Sequence, residues 1–212
     1  MSYIWLIPCG PDADPTMTVR SIGIGNPIML VNDGCDLSAF YSYKNIQITT
    51  TGTKGTGCAH ALNVGINALK DQRIDWVYRM DADDMATYLH DRNLQASKAQ
   101  PEEVVIAGAM VTPDGRRMEM KLQSSDDIRS MIERRRNPIY HPATIIRMSA
   151  LLQVGGYPEQ YGQAEDYGLW IKLLRIGMIK PWNKPWTWYA PYPARHTKKL
   201  ESLAKAAEDA GF

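Results

Sequence analysis

The stretch Val77-Tyr78-Arg79-Met80-Asp81-Ala82-Asp83-Asp84-Met85 passes from an apolar run into three carboxylates within four positions. Clustered carboxylate oxygens are hard donors. They suit Mg²⁺ or Mn²⁺, which bind few protein carboxylates and fill their other positions with substrate phosphate and water. Asp81 and Asp83 are two apart, so strand geometry carried through them would turn both to one face. Carboxylates this close do not all stay ionised without a cation between them. The same residues also read as an acidic turn after a strand, with Asp84 capping the next helix. If the apolar run is a parallel strand, the carboxylates stand at its C-terminal end, where open α/β sheets hold their ligands.

The elements that must position these residues follow from period and punctuation. Residues 3–8 read as a buried first strand ended by Pro8-Cys9-Gly10-Pro11. A weak helix between Pro15 and Ile24 is followed by strands over 27–31 and 46–49. The Gly-rich loop Thr51–Gly57 runs into Ala59, Leu62, Ile66 and Leu69 on one helical face, a natural anion site or simply a flexible loop. It lacks the Walker and dinucleotide fingerprints. Thr87 is expected to cap a helix running to Ala99. A strand over 104–109 leads into a hairpin turn at Pro113-Asp114-Gly115, and Ser125-Asp126-Asp127 caps a helix ending in Arg134-Arg135-Arg136. That Arg run is either a solvated helix end or a phosphate clamp. A strand enters at His141–Arg147, a helix opens at Glu165-Asp166, and 178–196 has no regular period. Residues 199–210 read as a short Ala-rich helix.

Composition narrows the classes. The 212 residues suffice for one domain with a real core, and 44% apolar content is ordinary for a globular chain. A net charge of +1, from 24 basic and 23 acidic residues, argues against a nucleic-acid coat or an acidic tail. Cys9, Cys35 and Cys58 have no paired spacing, so they read as reduced thiols in a cytoplasmic setting, with neither a disulfide framework nor a zinc site. No apolar run reaches transmembrane length, so no stable membrane insertion is expected.

Five blocks in order resemble the inverting glycosyltransferases of family 2. Val31-Asn32-Asp33-Gly34 is similar to a V-D-D-G block that contacts the donor nucleoside. Gly57-Cys58-Ala59-His60-Ala61-Leu62-Asn63-Val64-Gly65-Ile66 resembles G-x-A-x-A-R-N-x-G-I. Arg79–Asp84 resembles R-M-D-A-D-D, the D-x-D block, and Asn137–Pro142 resembles N-P-I-x-H-P. Gly155-Gly156-Tyr157 with Glu165-Asp166-Tyr167-Gly168-Leu169-Trp170 resembles G-G-Y…E-D-x-x-L-W. Leu62 stands where the family has Arg, Asn32 where it often has Asp, and Pro8-Cys9-Gly10-Pro11 replaces P-x-Y-N. These departures fall on the donor side.

The resemblance implies the GT-A fold: α/β, a mixed, mostly parallel central sheet flanked by helices. It implies one domain over 1–212, with a nucleotide-sugar-binding lobe over 1–85, an acceptor-binding lobe over 86–196 and a tail helix over 197–212. The implied activity is metal-dependent transfer of one sugar from a UDP- or other NDP-sugar to an acceptor hydroxyl, with inversion. The processive Q-x-x-R-W signature is absent. A glycan, a lipid-linked sugar, a protein or a modified nucleobase all remain open as acceptor. In this scheme Mn²⁺ or Mg²⁺ is held by Asp83, by Asp81 directly or through water, and by His196, which otherwise is an exposed residue of a basic tail. Asp166 is the base. Asp33, Gly57, Arg79, Asp81 and Glu165 belong to the substrate-binding set, and His141 serves either acceptor binding or structure. The aromatic run Trp182, Trp186, Trp188 and Tyr189 stacks on a ligand or fills a core. The alternative reading is a degenerate GT-A domain that only binds or assembles. A sugar-nucleotide pyrophosphorylase would need a basic Gly-rich loop after the first strand, where Pro8–Asp14 is acidic.

Overall fold

A computed structural model of the chain describes residues 1–119, 121–190, 206 and 209. Strands β1 (Tyr3–Cys9), β2 (Ile28–Asn32), β3 (Ile46–Thr50), β4 (Trp76–Arg79), β5 (Met85–Ala86), β6 (Glu103–Val111), β7 (Arg117–Met118), β8 (Thr144–Arg147) and β9 (Met178–Trp188) form one nine-stranded sheet. Its order is β3-β2-β1-β4-β8-β6-β9-β5, with β7 paired to β6. β1 to β4 run parallel, and so do β6 and β9, while β8 enters antiparallel between β4 and β6. This is the mixed, mostly parallel sheet expected.

Helices α1 (Thr16–Ile22), α2 (Cys58–Leu69), α3 (Leu89–Lys98), α4 (Ser125–Glu133), α5 (Met148–Gln153) and α6 (Glu165–Leu174) cover the two faces. Alternate residues of β1 separate the two cores, as a pleated strand requires. Ile4 and Leu6 join α2, α4 and α6 through Leu62, Ile128 and Trp170. Trp5 and Ile7 join the opposite layer with Ile22, Trp76 and Trp186.

Several local expectations change. Thr87 is no cap. Tyr88 takes the position before α3 in a left-handed conformation with φ 49°, and Thr87 Oγ1 donates instead to the Pro185 carbonyl. The cap of α4 is Ser124, in a reciprocal capping box with Asp127. The supposedly aperiodic segment after 178 is the eleven-residue β9. The Arg run does end α4, with the Arg134 and Arg136 amides donating to the Ser130 and Met131 carbonyls. Of the expected tail helix, Ala206 and Asp209 are helical, and the rest lies outside the described residues. No helix among the described residues is long and apolar enough to cross a membrane.

Candidate active site

Because β1, β2, β3 and β4 are parallel, their C-terminal ends bring the Asp33 loop, the 51–57 loop and the 81–84 turn to one edge of the sheet. The acidic turn is held from beneath by α1. Thr18 Oγ1 lies 2.7 Å from the carbonyls of both Ala82 and Asp84. Ser21 Oγ accepts the Ala86 amide at 2.9 Å. The short first helix is therefore the element that fixes this turn.

Carboxylate oxygens of Asp81, Asp83 and Asp84 all lie within 4.8 Å of one another. Asp84 is buried, and its Oδ1 accepts the Ala190 amide at 2.9 Å, so it ties the end of β9 to the turn and caps no helix. Its Oδ2 is buried without a hydrogen-bond partner among the described residues. Burial and the neighbouring Asp81 charge push the Asp84 carboxyl up to about 8. A buried oxygen with no donor, in a cluster of hard donors that cannot all ionise alone, fits a divalent cation.

Arg79, 2% exposed, pairs with Asp81 Oδ1 at 2.6 Å and donates to Cys58 Sγ at 3.5 Å. Burial works against its charge, but the adjacent Asp81 carboxylate outweighs that and raises it above the usual range. Arg79 and Cys58 also lie near enough to Glu165 to favour its ionised form, though burial outweighs them. The acidic turn, the start of α2 and the start of α6 thus adjoin one another around the buried Arg79.

Glu165 and Asp166 open α6 and are both buried, at 8% and 6% exposure, yet their surroundings differ. Asp166 Oδ2 accepts from Asn137 Nδ2 at 2.8 Å, and Oδ1 from the Tyr167 amide at 2.7 Å. Both groups donate to its carboxyl oxygens, at a helix end whose dipole favours negative charge. Glu165 Oε2 has no hydrogen-bond partner among the described residues. Burial, then the Asp166 charge, raises Glu165 to about 7.

Asp33 faces the Gly-rich loop. It accepts Thr51 Oγ1 at 2.9 Å, Thr56 Oγ1 at 2.7 Å and the Thr56 amide at 2.9 Å on Oδ1, and the Gly57 amide at 3.2 Å on Oδ2. Burial opposes its ionisation, but these donors, the Thr56 amide foremost, hold its carboxyl below the usual value. The anion at the start of α2 is thus this chain's own carboxylate. Gly57, with φ 101°, makes that approach with a backbone few other residues adopt.

His141 lies in the core. Its Nε2 is 2.8 Å from Tyr157 Oη, and its ring packs against Trp170. This favours the structural one of its two roles. The indole N–H groups of Trp182 and Trp186 both donate to Asp91 Oδ2; Trp186 is wholly buried in the core, Trp182 packs half-buried against it, and Trp188 is 40% exposed. His196 lies outside the described residues. Sequence reasoning gave no role to Cys58, Asn63, Asn137 or Tyr157. Asn63 clasps the 155–157 turn, accepting the Tyr157 amide at 2.7 Å and donating to the Tyr157 carbonyl at 2.9 Å. Asn137 and Asn63 stand inside matched blocks, which was their only signal.

No protein-family model matches the chain. Over 162 residues it is 28% identical to an Escherichia coli UDP-Gal:alpha-D-GlcNAc-diphosphoundecaprenol beta-1,3-galactosyltransferase, covering 71% of this chain and 57% of that protein. Over 127 residues it is 30% identical to an uncharacterized glycosyltransferase of Haemophilus influenzae, covering 58% of this chain and 45% of the other. The chain therefore spans about half the length of the curated relatives it matches. The structure of S. aureus TarS bound to UDP superposes with a TM-score of 0.74 at 16% identity, over 99% of this chain and 65% of that one. This chain has the GT-A fold. A Pyrobaculum calidifontis mannosyltransferase in complex with GDP-Man and Mn²⁺ matches with a TM-score of 0.69 at 15% identity, over 98% of this chain and 63% of the other. The acidic turn of this GT-A domain is the D-x-D-like cluster expected from the blocks.

Proposed function

We propose that this GT-A domain is a glycosyltransferase that uses Mn²⁺ or Mg²⁺ to move one sugar from a nucleotide-sugar, in the first instance a UDP-sugar, to an acceptor hydroxyl with inversion. One observation carries the reading: three carboxylates within 4.8 Å of one another, one oxygen of which is buried without a donor among the described residues. The galactosyltransferase relative and the UDP-bound fold neighbour support the donor class. Asp83, Asp81 and Asp84 would hold the cation, with His196 as a further ligand. The cation would supply Lewis-acid stabilisation of the departing diphosphate.

The chain's own residues do the rest. Arg79 orients Asp81 from below. Asp33 keeps the 51–57 loop closed over the start of α2 and, with Gly57, lines the nucleoside side. Asp166 accepts the proton of the acceptor hydroxyl as its oxygen bonds to the anomeric carbon and the bond to the diphosphate breaks. Asn137 holds that carboxyl in place by its hydrogen bond to Oδ2, as a positioned base requires. Glu165 contacts the acceptor beside it, and His141 supports both through Tyr157. The two lobes divide near residue 85. The test is a panel of nucleotide-sugars with Mn²⁺, with and without simple glycoside acceptors. Metal-dependent release of nucleoside diphosphate from at least one donor is expected. Binding of nucleotides with no turnover of any donor would favour the purely binding domain instead.

A further inference from the structure

Helix α4 runs out into Arg134, Arg135 and Arg136, and their side chains are not needed to finish the helix. The amides of these three residues donate to the carbonyls of Ser130, Ile132 and Met131 at 3.2, 2.9 and 3.0 Å. Tyr167 Oη of α6 also donates to the Ile132 carbonyl, at 2.6 Å. Carbonyls that a terminal cation often caps thus already have donors. All three arginines are exposed. Among the described residues, Arg134 and Arg136 form no ion pair with a carboxylate. Arg129, one turn earlier, donates instead to the Leu174 carbonyl at 2.7 Å. The chain as a whole carries a net charge of +1, so three adjacent cations are a local concentration.

Their place gives them a use. Asn137 follows directly, and its Nδ2 donates to Asp166 Oδ2 at 2.8 Å. Tyr167, which joins the end of α4 to α6, is the next residue after Asp166. An acceptor whose hydroxyl meets Asp166 therefore lies beside the arginine run. Glu165 and Asp166 alone would repel an anionic acceptor, and cations next to them offset that repulsion.

We propose that the acceptor is a glycosyl phosphate, whose phosphate is held by the guanidinium groups of Arg134 and Arg136 at the end of α4. The inference rests on the reading of Asp166 as the base of a sugar transfer. A guanidinium is planar and presents paired N–H groups that match two phosphate oxygens, which a neutral sugar lacks. The capping box at Ser124 and the Tyr167 contact fix the two ends of α4, so the run is carried on an anchored helix.

The test is calorimetry on the full chain, free of metal and donor. The probes are the 1-phosphates of glucose, galactose, mannose and N-acetylglucosamine, the methyl glycosides of the same sugars, and inorganic phosphate. At least one sugar 1-phosphate should bind about tenfold more tightly than its methyl glycoside and than inorganic phosphate, and less tightly as salt rises. Arg134→Gln with Arg136→Gln should remove about tenfold of that affinity. Lys70→Gln with Arg73→Gln, an equal loss of charge at exposed residues past the far end of α2, should keep it. The decyl phosphodiester of the same sugar tells the source: tighter binding of the diester assigns a lipid-linked acceptor, and tighter binding of the monoester a soluble one. In transfer assays with the donor that turns over, the arginine double variant should raise KM for the phosphate-bearing acceptor and leave that for the neutral glycoside unchanged. Equal binding of phosphate-bearing and neutral sugars, full affinity in the arginine double variant, an equal loss in the charge control, or equally tight binding of inorganic phosphate would each overturn the proposal. Turnover of no donor, with the sugar phosphate still bound through the arginines, would count against the transferase reading instead.

Discussion

Glu165 and Asp166 are adjacent residues of one type of chemistry, and their neighbours separate them. Asp166 accepts from Asn137 and the Tyr167 amide. Asp166→Asn is expected to bind nucleotide and metal as the native chain does while transfer falls by about 10² to 10⁴, the usual contribution of a positioned base. Parallel measurement of nucleotide affinity and turnover checks this, and equal turnover would move the base to Glu165. Glu165 is raised to about 7 by burial and the Asp166 charge. Its folded value lies above its unfolded value, so its contribution to stability is present in full below about 4.5 and is lost as pH rises through about 7. Glu165→Gln should therefore flatten the fall in melting temperature between pH 5 and pH 8. The difference should reach roughly 3 kcal/mol at the upper end. The pair itself was legible in the sequence, as was its place at a helix start. Asn137 was not, because its partner is 29 positions away and only the fold brings them together.

At the scale of elements, the site depends on two anchored turns. Thr18 and Ser21 of α1 hold the acidic turn, and Asp33 holds the Gly-rich loop. Asp33→Ala removes the acceptor for four hydrogen bonds on that loop. It should cost roughly 1–3 kcal/mol. It should also raise hydrogen exchange at the Thr56 and Gly57 amides while leaving β4 and β8 protected, which exchange mass spectrometry would read. The strands of the first half were legible because each is a short apolar run between turn residues. β9 was not, since Pro181 and Pro185 argue against a strand. The fold admits them because, among the described residues, β9 pairs on its outer side with β5 only at Thr187 and Trp188, and because its register against β6 shifts around Ala109. A proline without an N–H is tolerated at such an edge or bulge. The cap of α3 was misplaced at Thr87 because a hydroxyl before a helix is a sound local signal. Here it lost to the β9 carbonyl that Thr87 reaches instead.

At the scale of the whole molecule, the sheet is completed by the return of β9 beside β6, and this contact is close. A Cβ on Gly108 would lie 2.6 Å from Trp186 Cε3, and Trp186 is wholly buried. Gly108→Ala should cost roughly 1–3 kcal/mol by overpacking, seen as a lower denaturant midpoint with an unchanged slope. The strand order itself could not be read from local pattern. It entered only through the resemblance of blocks, which placed the acidic turn and the start of α6 in one site before any contact between them was known. The central claim is that this site holds a nucleotide through a metal on the acidic turn. Calorimetry of UDP binding, with and without Mn²⁺, in the native chain and in Asp83→Ala, tests it most directly. The account predicts Mn²⁺-dependent binding in the native chain and a loss of tenfold or more, about 1.4 kcal/mol, in the variant. Equal affinity in the two chains with Mn²⁺ present would contradict it.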